Sequence, residues 1–259
     1  MHLGIEGRKA IVCASSRGLG LATAKSLAEA GCDLVINGRD AKKLQQIAEE
    51  LRAQYSVRVT PIAGDISSPE TQQAVLKACP NPDILVNNNG GPPRKDFKEL
   101  NRQSIQEGVL QNMITPIELI QAVIEGMAER RFGRIVNITS MSVKMPIQGL
   151  DLSSGSRAGL TAFLAGVCRE YAPHNVTINN VLPGKFDTDR LKGGFEHQAQ
   201  QANISVEEAK QLTSKEIPAN RLGNPEEFGK ACAFMCSAHA GYITGQNLLL
   251  DGGLYPSAF

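Results

Sequence analysis

The chain has 259 residues, 42% of them hydrophobic and 20% charged, with 27 Lys+Arg against 26 Asp+Glu. That composition is globular rather than disordered, and the even charge balance excludes the electrostatic footprint of a nucleic-acid or membrane-surface protein. No apolar run reaches the roughly 18 residues that span a bilayer, and residues 1–7 lack an apolar signal core, so a cytoplasmic protein is expected.

Taken in chain order, short apolar runs alternate with amphipathic segments. Residues 9–14 read as a buried strand and 19–30 as a helix, with Gly31 placed to end it. A strand follows at 33–37, then a helix marked by Leu44, Ile47, Ala48 and Leu51. Further strands are expected at 57–62, 84–86, 135–138, 176–182 and 246–250, and helices at 72–77, 101–130 and 154–172. Strands that alternate with helices pair in parallel through right-handed crossovers. The strands lack polar/apolar alternation, as they do when helices cover both faces. The expectation is an α/β chain, one domain over 1–259, with a doubly wound parallel sheet of about seven strands. Residues 189–217 break the rhythm. They are rich in Gln, Glu and Lys, and Ser205-Val206-Glu207-Glu208 reads as a capping box. They form either a solvated helical excursion or a lid over a site.

None of the six cysteines (13, 32, 79, 168, 232, 236) forms a Cys-x-x-Cys pair. Cys232 and Cys236 share a helix face better than a metal, so no metal site is expected and the cysteines read as small, reduced core residues.

The first strand and helix are joined by Ala14-Ser15-Ser16-Arg17-Gly18-Leu19-Gly20. A dinucleotide pyrophosphate needs a tight turn, close backbone approach and free N–H groups at a helix N-terminus. Gly18 and Gly20 permit that approach, while Ser15, Ser16 and Arg17 add donors and charge. The second strand ends Ile36-Asn37-Gly38-Arg39. A carboxylate there would hold the ribose hydroxyls of NAD. A guanidinium suits a 2′-phosphate, so NADP(H) is the expected cofactor. Asp40 reads as the cap of the next helix.

With these motifs the sequence resembles the short-chain dehydrogenase/reductases, of the type that includes 3-oxoacyl-carrier-protein reductases. The resemblance extends over nearly the whole chain and implies a Rossmann fold. Asp65-Ile66 resembles the adenine-edge contact, and Asn87-Asn88-Asn89-Gly90 resembles Asn-Asn-Ala-Gly. Asn112 falls at the active-site Asn and Ser140 at the catalytic Ser. Pro183-Gly184, Phe186 and Thr188 match the loop that holds the nicotinamide carboxamide. Residues 221–226, 243–246 and 251–253 complete the C-terminal signature. The resemblance also implies a small-molecule substrate and a homotetramer built on 101–130 and 154–172; the apolar tail 254–259 suits docking on a neighbour.

Departures from the pattern carry the interest. Cys13-Ala14 replaces the usual Thr-Gly, which is harmless if residue 14 does not need a positive φ. Asn89 replaces Ala and gains hydrogen-bonding capacity. The catalytic Tyr of the family lies thirteen residues after the Ser, and its Lys four further on. Here those positions hold Ser153 and Arg157, and Ala158-Gly159-Leu160 fixes the register. The four tyrosines (55, 171, 242, 255) lie elsewhere.

In the family, Tyr protonates the nascent alkoxide and Lys lowers its pKa and holds the nicotinamide ribose. Arg157 can supply the ribose contact and the positive field, but not a mobile proton. Losing a positioned general acid costs about 10²–10⁴ in rate, which leaves room for activity built on the Ser140 and Ser153 hydroxyls. Lys144, four residues after Ser140, is a candidate proton donor if it is desolvated, with Lys185 and His197 as weaker ones. Three readings compete. The leading one is an NADP(H)-dependent oxidoreductase with a Ser/Ser/Arg centre acting on a carbonyl or alcohol. The second is an NADP(H)-binding pseudoenzyme or sensor. The third is a non-redox enzyme on the same scaffold. It is the weakest, because the halohydrin dehalogenases, which also carry Arg at the Lys position, keep Tyr and have lost the dinucleotide pocket.

Overall fold

A computed structural model describes residues 2–92 and 94–257, apart from the side chain of His197. Seven parallel strands form one sheet: β1 (Lys9–Val12), β2 (Asp33–Gly38), β3 (Val59–Ala63), β4 (Ile84–Asn87), β5 (Gly133–Ile138), β6 (Val176–Pro183) and β7 (Asn247–Leu250). Their spatial order is β3-β2-β1-β4-β5-β6-β7. The order reverses between β1 and β4, and that switch point is where open α/β sheets bind ligands. β1 is shorter than the apolar run suggested, because the chain turns after Val12.

Helices cover both faces. α1 (Gly18–Glu29), α2 (Ala41–Tyr55) and α9 (Pro225–Met235) pack on one side, where Leu27, Ile36, Leu44, Phe228 and Cys232 share a core. α3 (Pro69–Ala78), α5 (Thr115–Glu129) and α6 (Asp151–Tyr171) cover the other, with Ile11, Val75, Leu119, Ile135 and Leu160. α7 (Asp189–Ala202) and α8 (Val206–Lys215) form a separate pair with a small core of Phe195, Ala199, Ala209, Ile217 and Leu222. No helix among the described residues is long and apolar enough to cross a membrane.

Local signals hold where the chemistry is local. Gly31 has φ 81° and ends α1 in a Schellman motif: its N–H reaches Ala28 O at 2.9 Å, and that of Cys32 reaches Leu27 O at 3.0 Å. Asp40 caps α2 through the Lys43 N–H at 3.0 Å, and Ser205 with Glu208 forms the capping box of α8. Of α9, only the helix face shared by Cys232 and Cys236 was expected, not its start. Its signal was present as Asn224-Pro225-Glu226-Glu227, an N-cap, a Pro and an acidic first turn. α9 lies so close to α1 that a Cβ on Gly229 would sit 2.3 Å from Ala22 O.

The long helical region expected over 101–130 is present from Arg102 to Glu129, but it is not one regular α-helix. α4 (Arg102–Val109) passes into a π-helical turn, Leu110–Ile114, before α5. The cause is Pro116, which has no N–H to give the carbonyl four residues back, that of Asn112, and whose ring crowds that carbonyl. The Thr115 N–H reaches Leu110 O instead, one residue further than in an α-helix.

Four asparagines stand at matched register on β4 to β7. Asn87 donates to Asn137 at 2.9 Å, Asn137 to Asn180 at 3.0 Å, and Asn180 to Asn247 at 2.8 Å. This side-chain ladder ties the strands together just beneath the loops that carry Asn88, Ser140 and Pro183.

Candidate active site

The phosphate end is built on β1, β2 and β4. Ser15 is fully buried; its Oγ donates to Val12 O at 2.8 Å and accepts from the Asn37 N–H at 3.2 Å. Ser15 therefore braces the turn from inside and, contrary to expectation, offers no hydroxyl to a ligand. Asn37 accepts from the Ala14 N–H and donates to Ile62 O and Gly64 O. Asn88 donates to Ala14 O at 3.1 Å. A Cβ on Gly20 would sit 2.4 Å from that same oxygen, so α1 can start this close to the turn only with glycine there.

Ala14 has φ 44°, in the left-handed region that glycine tolerates and alanine resists. The condition under which Ala could replace Gly without cost is not met.

Outward-facing groups complete this end. Arg17 and Arg39 are exposed and their side chains make no hydrogen bond or ion pair among the described residues, and Gly18, with φ 57°, opens the N-terminus of α1. The N–H groups of Gly18, Leu19 and Gly20 begin the helix, where backbone donors lack partners inside it. Asp40 is engaged as a cap, so no acid occupies the tip of β2. These observations fit a dinucleotide phosphate on the turn and a 2′-phosphate at Arg39. Asp65 is exposed at the end of β3, whereas the Ile66 side chain is 2% exposed in the core, so only the main chain of Ile66 can face an adenine.

The other wall is the loop after β6. Gly184 presses on Asp251, where a Cβ would sit 2.7 Å from the Asp251 Cα, and so Pro183 and Gly184 hold β6 against β7. Thr188 faces the turn, its Cγ2 3.8 Å from where a Cβ on Gly18 would stand. Phe186, expected at the cofactor, instead packs edge-on against Phe228 at 5.3 Å and is 7% exposed. Its ring fills the space left by Gly223, and burying an aromatic there outweighs exposing it in the cleft.

The reaction end lies where β5, α6 and the π-turn meet. Ser140 caps a short turn, its Oγ accepting from the Ser142 N–H at 3.1 Å. Ser153 is 4% and Arg157 7% exposed, on successive turns of α6. Arg157 Nε donates to Ser153 Oγ at 2.9 Å, and Nη1 donates to Ile138 O at 2.7 Å and Thr139 O at 2.9 Å. Burial and the neighbouring Arg190 push the Arg157 pKa down to about 10, so it is still charged at neutral pH. Arg134, the other deeply buried arginine, uses Nε, Nη1 and Nη2 on protein acceptors, whereas Arg157 Nη2 has no hydrogen-bond partner among the described residues.

Asn112 is 3% exposed; its Nδ2 donates to Gly108 O and its Oδ1 has no partner. Asn89 ties this turn to the cofactor end, donating to Ser67 Oγ at 2.8 Å and to Gln111 O at 3.2 Å. The hydrogen-bonding capacity gained by the Ala-to-Asn departure is thus used twice. Gly90 is exposed beside it and lines a cavity of about 230 Å³ with Arg39, Asp65, Asn89 and Gln111.

The candidate proton donors fare differently. Lys144 is exposed and stands over the Tyr255 ring at 5.6 Å, so the desolvation its role required is lacking. Tyr255 is brought there by the tail, which folds back on its own chain: the Tyr255 N–H donates to Asp251 at 2.7 Å. Lys185 is paired with Glu216 at 2.5 Å. Tyr171 is bonded to Glu125 on the surface. The side chain of His197 and residues 258–259 lie outside the described residues.

Residues 13–255 match a family described as enoyl-(acyl carrier protein) reductase. Over 98% of its length the chain is 32% identical to the 3-oxoacyl-[acyl-carrier-protein] reductase FabG of Aquifex aeolicus, all of which is covered. The chain belongs to the short-chain dehydrogenase/reductase family. It is likewise 32% identical to the NADPH-dependent reductase BacG of Bacillus subtilis, over 95% of this chain and 97% of that one. The L-sorbose reductase of Gluconobacter frateurii, solved with NADPH and L-sorbose, superposes with a TM-score of 0.94 at 26% identity, covering 99% of this chain and all of that one. Membership makes this chain an oxidoreductase by descent. Within the family framework, Ser153 and Arg157 stand where the resemblance implied Tyr and Lys.

Proposed function

We propose that the protein is an NADP(H)-dependent oxidoreductase that interconverts a carbonyl and an alcohol at a Ser140/Ser153/Arg157 centre. The observation that carries this reading is the buried hydrogen bond from Arg157 Nε to Ser153 Oγ. An oxygen that accepts from a guanidinium is polarised, and its own O–H becomes a stronger donor. When bound, the nicotinamide supplies or accepts the hydride.

The protein's own residues do the rest. Ser140 and Ser153 point hydroxyls at the carbonyl oxygen, and the buried charge of Arg157 stabilises the alkoxide in a low-dielectric site. Arg157 Nη2, without a hydrogen-bond partner among the described residues, holds the nicotinamide ribose. The alkoxide, a base about as strong as hydroxide, takes its proton from water in the cleft, and the hydroxide left behind is neutralised by bulk solvent. Arg17, Ser16, the α1 N-terminus and Arg39 hold the phosphates, and Asn88 and Asn89 position the turn and the Asn112 segment. α7 and α8 act as a lid, joined to the loop after β6 by Lys185–Glu216 and Lys210–Asp187. Ile105, Ile114 and Phe163, exposed on α4 to α6, supply the apolar surface a tetramer of such chains needs.

The test has two stages. NADPH fluorescence should change on mixing, and Arg39→Ala should weaken NADPH about tenfold while leaving NADH nearly unchanged; equal weakening of both would refute the 2′-phosphate assignment. A carbonyl panel followed at 340 nm should then show turnover. Tight NADPH binding with no turnover across the panel would favour the second reading, a cofactor-binding protein in which the Arg157 bonds to Ile138 O and Thr139 O are only structural.

A further inference from the structure

We propose that Asn89-Gly90 is a site of spontaneous deamidation, that bound cofactor shields it, and that the carboxylate it produces weakens the hold on a 2′-phosphate.

Two Asn-Gly pairs occur in the chain, Asn37-Gly38 and Asn89-Gly90. Glycine after asparagine obstructs ring closure least, since it has no Cβ and few backbone limits. The glycine main-chain nitrogen loses its proton and attacks the asparagine Cγ. The new N–Cγ bond closes a five-membered succinimide, the Cγ–Nδ2 bond breaks, and ammonia leaves with the proton. Water then opens the ring at either carbonyl, giving aspartate or isoaspartate. Water is the only co-reactant, and nothing is oxidised or reduced.

The step needs a backbone free to turn and a glycine N–H without a partner. Asn37-Gly38 is locked. It lies in β2 at matched register with Ile62 and Ala63 of β3, and Asn37 is 1% exposed. Its Oδ1 accepts from the Ala14 N–H, and its Nδ2 donates to Ile62 O and Gly64 O. Gly38 O accepts from the Gly64 N–H at 3.0 Å, and a Cβ on Gly38 would stand 2.8 Å from Ser16 Oγ.

Asn89-Gly90 is open. It belongs to no helix or strand, and Gly90 is exposed, with nothing within 4 Å of where a Cβ would stand. The Gly90 N–H makes no hydrogen bond among the described residues. The Asn89 carboxamide is held only through Nδ2, the atom that leaves. One of its two partners, Ser67 Oγ at 2.8 Å, is a hydroxyl, which can turn to donate and hand the departing nitrogen a proton.

The product cannot do what Asn89 does. Gln111 O receives no N–H from four or five residues further on, because that of Thr115 goes to Leu110 O and Pro116 has none; Asn89 Nδ2, at 3.2 Å, is its donor. A carboxylate has no N–H to give, so that carbonyl is left unpaired in the turn that carries Asn112. The carboxylate also adds negative charge to the cavity that Asn89 and Gly90 share with Arg39 and Asp65, against the phosphate assigned to Arg39. That last effect rests on the cofactor reading above; the deamidation does not. A cofactor in this cavity covers Gly90 and slows ring closure, so the protein ages fastest when idle.

The test is peptide mass spectrometry of the full chain held at mildly alkaline pH, with isoaspartate detected by enzymatic methylation. Asn89 should convert at least tenfold faster than Asn37 in the same sample. Gly90→Ala, for which there is room and no positive φ to strain, should slow conversion tenfold or more with an unchanged melting temperature. Saturating NADPH should slow the wild type at least threefold. Asn89→Asp, which mimics one product, should weaken NADPH about tenfold and NADH much less, by fluorescence titration. Conversion of Asn89 no faster than that of Asn37, or of Gly90→Ala at the wild-type rate, would overturn the proposal. An NADPH-bound sample that ages like the empty one would overturn the shielding, and equal NADPH affinity of wild type and Asn89→Asp would overturn the consequence. Fast conversion in a protein that binds no NADPH would uphold the modification site and sink the cofactor reading instead.

Discussion

The two ends of the cleft handle their polar groups in opposite ways. At the phosphate end, the inward groups (Ser15, Asn37, Asn88) are bonded to the backbone, and the charged side chains of Arg17 and Arg39 stand exposed, with no hydrogen bond or ion pair among the described residues. At the reaction end the charge itself is buried: Arg157 is 7% exposed and holds Ser153 and two β5 carbonyls. An exposed guanidinium loses little solvation until a phosphate arrives, which suits binding. A buried one is already desolvated, so it acts strongly on charge that develops next to it, which suits chemistry. The two ends therefore keep their charge under opposite conditions, one in solvent and one in the core.

The sharpest way to break this comparison is Ser153→Ala. Removing the hydroxyl that Arg157 polarises should lower kcat about 10²–10³-fold with NADPH affinity within twofold, read by steady-state kinetics and fluorescence titration. Unchanged kcat would move the reaction centre away from α6. Next is Asn137→Ala, which interrupts the ladder beneath the reaction end and leaves Asn87 Nδ2 and Asn180 Oδ1 without their partner. A loss of about 2–3 kcal/mol is expected, a fall of roughly 5–10 °C in Tm by calorimetry. A loss below about 0.5 kcal/mol would show that the ladder is not holding the strands. The smallest effect is at the phosphate end. Ala14→Gly relieves the left-handed φ of 44° but loosens the unfolded chain, for a net gain of about 0.5–1 kcal/mol. Destabilisation would mean that the alanine conformation is not strained.

Much of the fold was legible because its signals are local. Apolar runs marked the strands, and Gly31, Asp40 and Ser205 marked helix ends through contacts within a few residues. Ser153 and Arg157 were named by counting along the sequence from a fixed Ala-Gly-Leu, and the structure puts them on successive turns of α6. What escaped was non-local. Ser15 and Ser16 look alike in sequence, yet one is sealed under β2 and the other is not. Phe186 sat in a binding motif, but Gly223, far along the chain, gave its ring a place in the core. The π-turn had a local cause in Pro116, which the helical periodicity masked.

The order of residues by itself determined the alternating elements, the Gly-rich turn after β1 and the placing of Ser153 and Arg157 one helical turn apart, since each is written within one short stretch. Only the tertiary structure decided that four asparagines from four strands form a ladder, that Lys144 stays in solvent and that Arg190 lies across Gly91. Those outcomes depend on strand register and loop packing between segments separated by tens of residues, and desolvation, which sets the strength of every charge in the cleft, exists only once those segments have met.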